Sequence, residues 1–182
     1  PQMAATLRDA GLRAFRMLLP FLDKKTFVTL DHQSQELVLT NARYGTVLFE
    51  STVPTPELNA ESLDLLDQAL AIADDDFYHE AVPGFDWDYY RFRTLEYYAM
   101  STDILNVRGF TADQLTRIAQ RSEELGDLWR TNPTHYGEFA SVSETQIALM
   151  RNRYLSGSIS IERYQDELLR IFRERDRSSY VT

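Results

Sequence analysis

Hydrophobic residues recur at helical spacing in several stretches of the chain. Residues 4–19 carry Leu7, Leu18 and Leu19 on one face, and Pro20 ends the pattern. Residues 57–74 repeat it with an apolar stripe formed by Leu63, Leu66, Leu70 and Ala73. Residues 86–105 also fit a helix, although their many aromatic side chains are common in strands as well. We therefore expect an amphipathic helix in each stretch.

Capping residues predict three more helices in the last third of the chain. Each begins at a serine or threonine, whose hydroxyl can accept from the first backbone N–H groups: Thr111, Ser143 and Ser160. A glutamine follows three residues after the first two, which completes a capping box. The first of these helices is predicted to reach about residue 129, and a Ser-Gly-Ser break at residues 156–158 separates the other two.

Three short runs rich in β-branched residues lie between the first two predicted helices: Thr26 to Asp31, Glu36 to Thr40 and Thr46 to Val53. Their alternation puts six apolar side chains on one face: Val28, Leu30, Leu37, Leu39, Val47 and Phe49. Asn41 and Gly45 are turn residues between the second and third runs. This pattern predicts a three-stranded antiparallel meander.

The order of these elements predicts an α+β fold: an N-terminal helix, a three-stranded antiparallel β-meander and a mainly helical C-terminal half of four to five helices. We expect a single domain over residues 1–182, in which residues 4–75 hold the helix, the meander and a covering helix. Residues 86–176 form the helical part, with residues 143–176 as a helical-hairpin appendage. Residues 74–84, which include Pro83-Gly84, are predicted to be a loop. The helix-meander-helix order with its acidic balance is similar to that of small acidic secretion-chaperone-like domains, which implies binding of extended segments of other proteins.

Composition excludes several classes of function. The chain has no cysteine, which removes disulfides, thiolate metal sites and cysteine nucleophiles. Phosphate-binding glycine patterns and the G-x-S-x-G setting of a serine nucleophile are both absent. A net charge of −9 opposes nucleic-acid backbones, and no apolar run is long enough to span a membrane. With no signal-peptide pattern at its start, the sequence predicts a cytoplasmic protein without a cofactor and without a nucleic-acid or membrane partner.

Negative charge is concentrated between Arg43 and Arg91, where there are eleven carboxylates and no lysine or arginine. The second half of this segment is also dense in aromatic rings, which are enriched in protein-binding surfaces. We therefore predict a non-enzymatic binding or regulatory protein that takes a basic protein segment, with electrostatic steering of association. The predicted partner-binding residues are Asp74, Asp75, Asp76, Phe77, Tyr78, Glu80, Asp86, Trp87, Asp88 and Tyr89. Burial of the rings in the core is the simpler interpretation of the same aromatic run.

Two alternative functions remain open from the sequence. A helical continuation of residues 57–74 would bring together a potential metal site for a hydrolase or nuclease: Asp75, Asp76, His79 and Glu80. The chain could instead be a structural subunit of an assembly, for example a viral one, that uses its C-terminal helices. Three arginines on one helical stripe are candidates for self-association in a homo-oligomer: Arg170, Arg173 and Arg177.

Overall fold

The computed structural model describes residues 16–42, 56–102, 109–132, 135 and 142–178. Within these ranges the α-helices are α1 (Lys24–Phe27), α2 (His32–Ala42), α3 (Pro56–Ala73), α4 (Asp76–Ala81), α5 (Trp87–Met100), α6 (Ala112–Thr131), α7 (Val142–Leu155) and α8 (Ile161–Ser178). A 3-10 turn, Leu19–Leu22, precedes α1. The chain divides into two compact units, residues 1–97 and 98–182. The single-domain organisation and the appendage at residues 143–176 stay predictions.

The predicted meander is wrong, and with it the α+β fold class, because the described residues contain no strand. The first run lies in α1 and the turn after it, and the second lies inside α2. The third run, with Val47 and Phe49, lies outside the described residues. Val28 and Leu37, expected on the buried face of the sheet, are 55% and 57% exposed. The resemblance to secretion-chaperone-like domains depended on the meander and loses its basis.

Aspartate caps explain why these runs are helical. Asp23 precedes α1 and its Oδ1 accepts from the backbone N–H groups of Lys25 and Thr26 at 3.1 and 3.2 Å. Asp31 does the same for α2, where Ser34 N donates to its Oδ1 at 2.8 Å. These bonds satisfy N–H groups that a helix start leaves without partners. They outweigh the modest strand preference of the β-branched residues that follow.

The core of the first unit forms on α3, whose predicted bounds and apolar stripe are confirmed. Residues on one side of this helix are buried: Leu63, Leu65, Leu66, Ala69, Leu70, Ile72 and Ala73. A cluster from the neighbouring elements packs with the last turns of α3, and it contains Leu22, Phe27, Val38, Leu39, Tyr78, Val82 and Tyr90. Burying each large apolar side chain contributes about 1.5–3 kcal/mol, so this cluster holds the acidic segment in place.

Residues 74–84 were predicted to be a loop, and this is wrong because α4 forms within them. Asp75 starts the helix, since its side chain accepts from Phe77 N at 3.0 Å. The helical interpretation of residues 86–105 is confirmed for α5. Its rings do not project in one direction: Tyr90, Phe92 and Tyr98 are fully buried, whereas Trp87 and Tyr89 are partly exposed.

The second unit contains α6, α7 and α8, with α6 packed on α7 and α7 on α8. The capping box at Thr111 is confirmed, and Ser160 Oγ accepts from Arg163 N at the start of α8. The helix predicted to be capped by Ser143 is present but begins at Val142, so Ser143 lies inside its first turn and the predicted cap is wrong. Between α7 and α8, Gly157 adopts φ +75°, a conformation that residues with a Cβ rarely adopt.

A buried polar network lies where the end of α5 meets α6 and α7. Asn152 Nδ2 donates to Ala99 O at 2.9 Å and to Ser122 Oγ at 2.7 Å, while Asn152 Oδ1 accepts from the Thr102 hydroxyl. Ala99 O is one of the last carbonyls of α5, which the helix itself cannot satisfy. The network therefore caps α5 with a side chain from α7.

Candidate functional site

The first two carboxylates of the predicted binding segment form ion pairs within the first unit. Asp74 pairs with Arg91, and Asp75 Oδ2 lies 2.6 Å from Lys24 Nζ. The hydrogen bond from Lys24 is the largest cause that holds the pKa of Asp75 below its ordinary value. Lys24 Nζ also lies 5.0 Å from the ring centroid of Phe77, within range of a cation–π contact. Asp75 therefore already binds an ammonium group beside an aromatic ring.

Tyr78 is a core residue rather than part of an exposed surface. Its ring packs edge-on against Phe27 with centroids 5.0 Å apart, and its hydroxyl donates to Leu22 O at 2.5 Å. Burial raises the pKa of Tyr78, and the negative charges of Asp75 and Asp23 raise it further. This side chain fixes α4 against the turn that precedes α1.

The imidazole of His79 stacks on the indole of Trp87, with ring centroids 4.3 Å apart and an interplanar angle of 6°. His79 Nε2 lies 2.8 Å from Ala73 O, the carbonyl of the last residue of α3. The contact with Ala73 O occupies Nε2, which leaves Nδ1 as the ring nitrogen that could bind a metal. Across the described ranges, no group of three or more His, Asp or Glu side chains is arranged to hold a metal ion. The geometry thus gives no support to a metal site at residues 75–80.

The remaining acidic residues of the segment lie at the surface. We call four exposed carboxylates the acidic rim: Asp76, Glu80, Asp86 and Asp88. The first two are four residues apart on α4 and so share a face. The other two flank Trp87 at the start of α5, where Asp86 Oδ1 also accepts from Tyr89 N at 2.9 Å. The stack of His79 on Trp87 joins these two helix segments.

An open cavity of about 340 Å³ lies next to this region, between the 3-10 turn and the last turns of α3. Its lining residues are Leu19, Leu22, Asp23, Gln68, Ala71, Ile72, Asp75 and Tyr78. The lining combines apolar side chains with two carboxylates and contains no lysine or arginine. The volume falls at the lower end of the range for small-ligand pockets, about 300–1,000 Å³, and suits one or two side chains.

The sequence identified only part of this arrangement. It included Asp75 and Tyr78, but it missed the walls supplied by the 3-10 turn and by the exposed side of α3. A weak signal was available in Asp23, an acidic residue directly after the apolar run from Leu19 to Leu22. It did not predict the contact of Lys24 with Asp75, because these residues are brought together only by packing of the first unit.

The predicted self-association arginines lie on α8. Arg170 Nε lies 2.9 Å from Glu167 Oε2, which lowers the pKa of that carboxyl. Arg173 is exposed, and the side chain of Arg177 lies outside the described residues. In the described part of the chain, none of the helices combines the length and apolar character needed to cross a membrane.

Comparison with known proteins gives no family for this chain. No protein-family model matches it, and neither a curated protein nor a solved structure matches it. Its function therefore has to be inferred from the geometry of its own residues.

Proposed function

We propose that this protein is a non-enzymatic, cytoplasmic binding or regulatory protein whose first unit takes a basic segment of another protein. The observation that carries the proposal is the cavity whose lining combines apolar side chains with Gln68 and with the carboxylates of Asp23 and Asp75. A lysine or arginine side chain has matching chemistry, because its aliphatic stem packs on apolar surface while its charged head seeks a carboxylate. The acidic rim supplies further negative charge for flanking basic residues of the partner.

Lys24 supports this proposal because it is an internal example of the recognition. Its ammonium group pairs with Asp75 and lies over the ring of Phe77. A basic residue of the partner that binds in the cavity would compete with Lys24 for the same carboxylate. Removing Lys24 should therefore strengthen binding of the partner.

The first experiment measures binding of a fluorescein-labelled peptide of alternating lysine and leucine by fluorescence anisotropy. We expect binding that weakens as salt is added, because exposed charges are screened. Asp76→Asn/Glu80→Gln/Asp86→Asn should weaken it about tenfold, since exposed ion pairs contribute about 0.2–1 kcal/mol each. Asparagine still caps α5 at position 86, so this variant changes charge with little effect on the helix.

The matched control removes three carboxylates from α6 in the second unit: Asp113→Asn/Glu124→Gln/Asp127→Asn. It has the same net charge as the rim variant. Equal weakening in both variants would show that only net charge matters and would contradict a site in the first unit.

A second experiment tests the cavity itself. Lys24→Met should bind the peptide more tightly than wild type, because Asp75 loses its internal partner. Lys25→Met removes the same charge one residue further along the chain. This variant therefore measures how the change in net charge alone affects peptide binding. If both variants bind equally tightly, the carboxylate of Asp75 is not the recognition element.

A further inference from the structure

The apolar side of α8 is wider than the part that α7 covers. Ile171 is buried, and the ring of Tyr164 stacks on Tyr154 of α7 with centroids 5.1 Å apart. Further around the same helix, three large apolar side chains are 40%, 52% and 47% exposed: Ile161, Leu169 and Phe172. We call these three residues the apolar strip. At about 100° per residue they occupy a sector about 80° wide directly beside the covered side, and the exposed Gln165 lies within the same sector.

Charged residues border this strip on the side away from α7. At the same angular spacing, a sector about 80° wide begins next to Leu169 and contains Glu162, Asp166, Arg170 and Arg173. We call these four residues the charged flank. Its acidic members lie in the first half of the described length of α8, and its basic members follow them. The flank therefore reverses its charge along the helix.

We propose that the apolar strip is covered by a second copy of this chain, with the two α8 helices antiparallel around a two-fold axis. With such an axis, the charged flank of one copy lies beside the charged flank of the other. Because the helices run in opposite directions, the acidic half of each flank faces the basic half of the other copy's flank. Glu162 then faces Arg173 of the second copy, and Asp166 faces Arg170, which also keeps its contact with Glu167.

The register of the charges and that of the apolar strip agree. The midpoint between Glu162 and Arg173 falls at position 167.5, and the midpoint between Ile161 and Phe172 falls at 166.5. One residue is about 1.5 Å along a helix, so a single axis near residue 167 serves both pairs. A parallel dimer would instead bring the charged flank toward the side that α7 covers. The antiparallel arrangement alone pairs opposite charges while it buries the strip.

The first test is the mass in solution by sedimentation equilibrium over rising protein concentration. We expect wild type to approach twice 21.1 kDa. Leu169→Gln/Phe172→Gln should stay monomeric, with an unchanged circular-dichroism spectrum because both side chains are already about half exposed. Leu37→Gln, which changes an equally exposed leucine in the first unit, should dimerise as wild type does. A wild-type monomer at every concentration, or a dimer that survives the double substitution, would overturn the proposal.

A charge exchange tests the direction of the helices. Glu162→Lys alone and Arg173→Glu alone each place like charges together and should weaken the dimer, by severalfold in Kd. The combined variant restores opposite charges across the axis and should recover most of the wild-type Kd. Thermal melts of the three variants show separately any loss of helix stability. A combined variant weaker than both single ones would exclude this pairing.

The absence of cysteine from the chain allows a direct check of register. Ile161→Cys and Phe172→Cys are prepared separately and mixed before mild oxidation. In the antiparallel dimer the two copies of position 161 are more than about 15 Å apart along the axis, too far for a disulfide. We expect a cross-linked species from the mixture, dominated by the mixed pair. Cross-linking of each variant only with itself would indicate a parallel dimer and would overturn the proposal.

Discussion

Removing the side chain of Asn152 should strongly destabilise the second unit. Asn152 is 1% exposed, and its amide joins three elements through Ala99 O, Ser122 Oγ and the Thr102 hydroxyl. Thr102 and Ser122 are buried as well, so water cannot replace the lost partner without entering the core. In Asn152→Ala the last turn of α5 loses its cap from α7.

The size of the effect follows from the hydrogen bonds. A neutral hydrogen bond contributes about 1 kcal/mol net, so three bonds give about 3 kcal/mol in the free energy of unfolding. The contact of Arg151 Nη2 with Ala99 O, at 3.5 Å, is too long to compensate fully. Ser122→Ala should cost only about 1 kcal/mol, because that hydroxyl otherwise bonds within its own helix to Ile118 O.

Urea denaturation followed by circular dichroism measures these differences, with both single variants and the double variant in one cycle. The double variant should be less destabilised than the sum of the single ones, since Asn152 and Ser122 share one bond. The reasoning would be refuted if Asn152→Ala lay within about 0.5 kcal/mol of wild type, the range of ordinary surface substitutions. Equal and additive costs for both residues would likewise show that no network connects them.

Two further changes test other parts of the fold. Tyr78 has a raised pKa in the folded protein, so the stability that this residue contributes is fully present below about pH 10, the ordinary pKa of tyrosine. That stability is lost as the pH rises through the higher pKa of the folded protein. Tyr78→Phe should therefore cost about 1 kcal/mol at neutral pH and make unfolding less steeply dependent on pH above 10, as read from denaturation midpoints. Gly157→Ala should lower the melting temperature, because a backbone φ of +75° costs about 1 kcal/mol for alanine. Steric overlap is not the cause, since the added Cβ would have no heavy atom within 4 Å. An unchanged calorimetric midpoint would contradict this prediction.

Long periodic helices with capping residues could be predicted from the sequence. The stripe from Leu63 to Ala73 and the box at Thr111 each combine two signals that agree, and the structure has a helix at both. The short runs at residues 26–40 gave one signal, β-branched composition, which does not separate a strand from a short helix. The caps at Asp23 and Asp31 were the competing signal, and they prevailed in the fold.

The candidate site was predictable in charge but not in geometry. The sequence shows a segment without lysine or arginine, yet Asp74 and Asp75 are neutralised by Arg91 and by Lys24 from either side of it. Lys24 lies on α1 and Arg91 on α5, so these pairs depend on how separate helices pack, and no local pattern reveals them. The cavity has the same origin, because its walls come from two separate stretches of chain.

The division into two compact units has a spectroscopic consequence. The chain has two tryptophans, and one falls in each unit: Trp87 in the first and Trp129 in the second. With Trp129→Phe the emission reports on the first unit, and with Trp87→Phe it reports on the second. Each unit thus carries its own intrinsic fluorophore, so loss of order in either can be followed without attaching a dye.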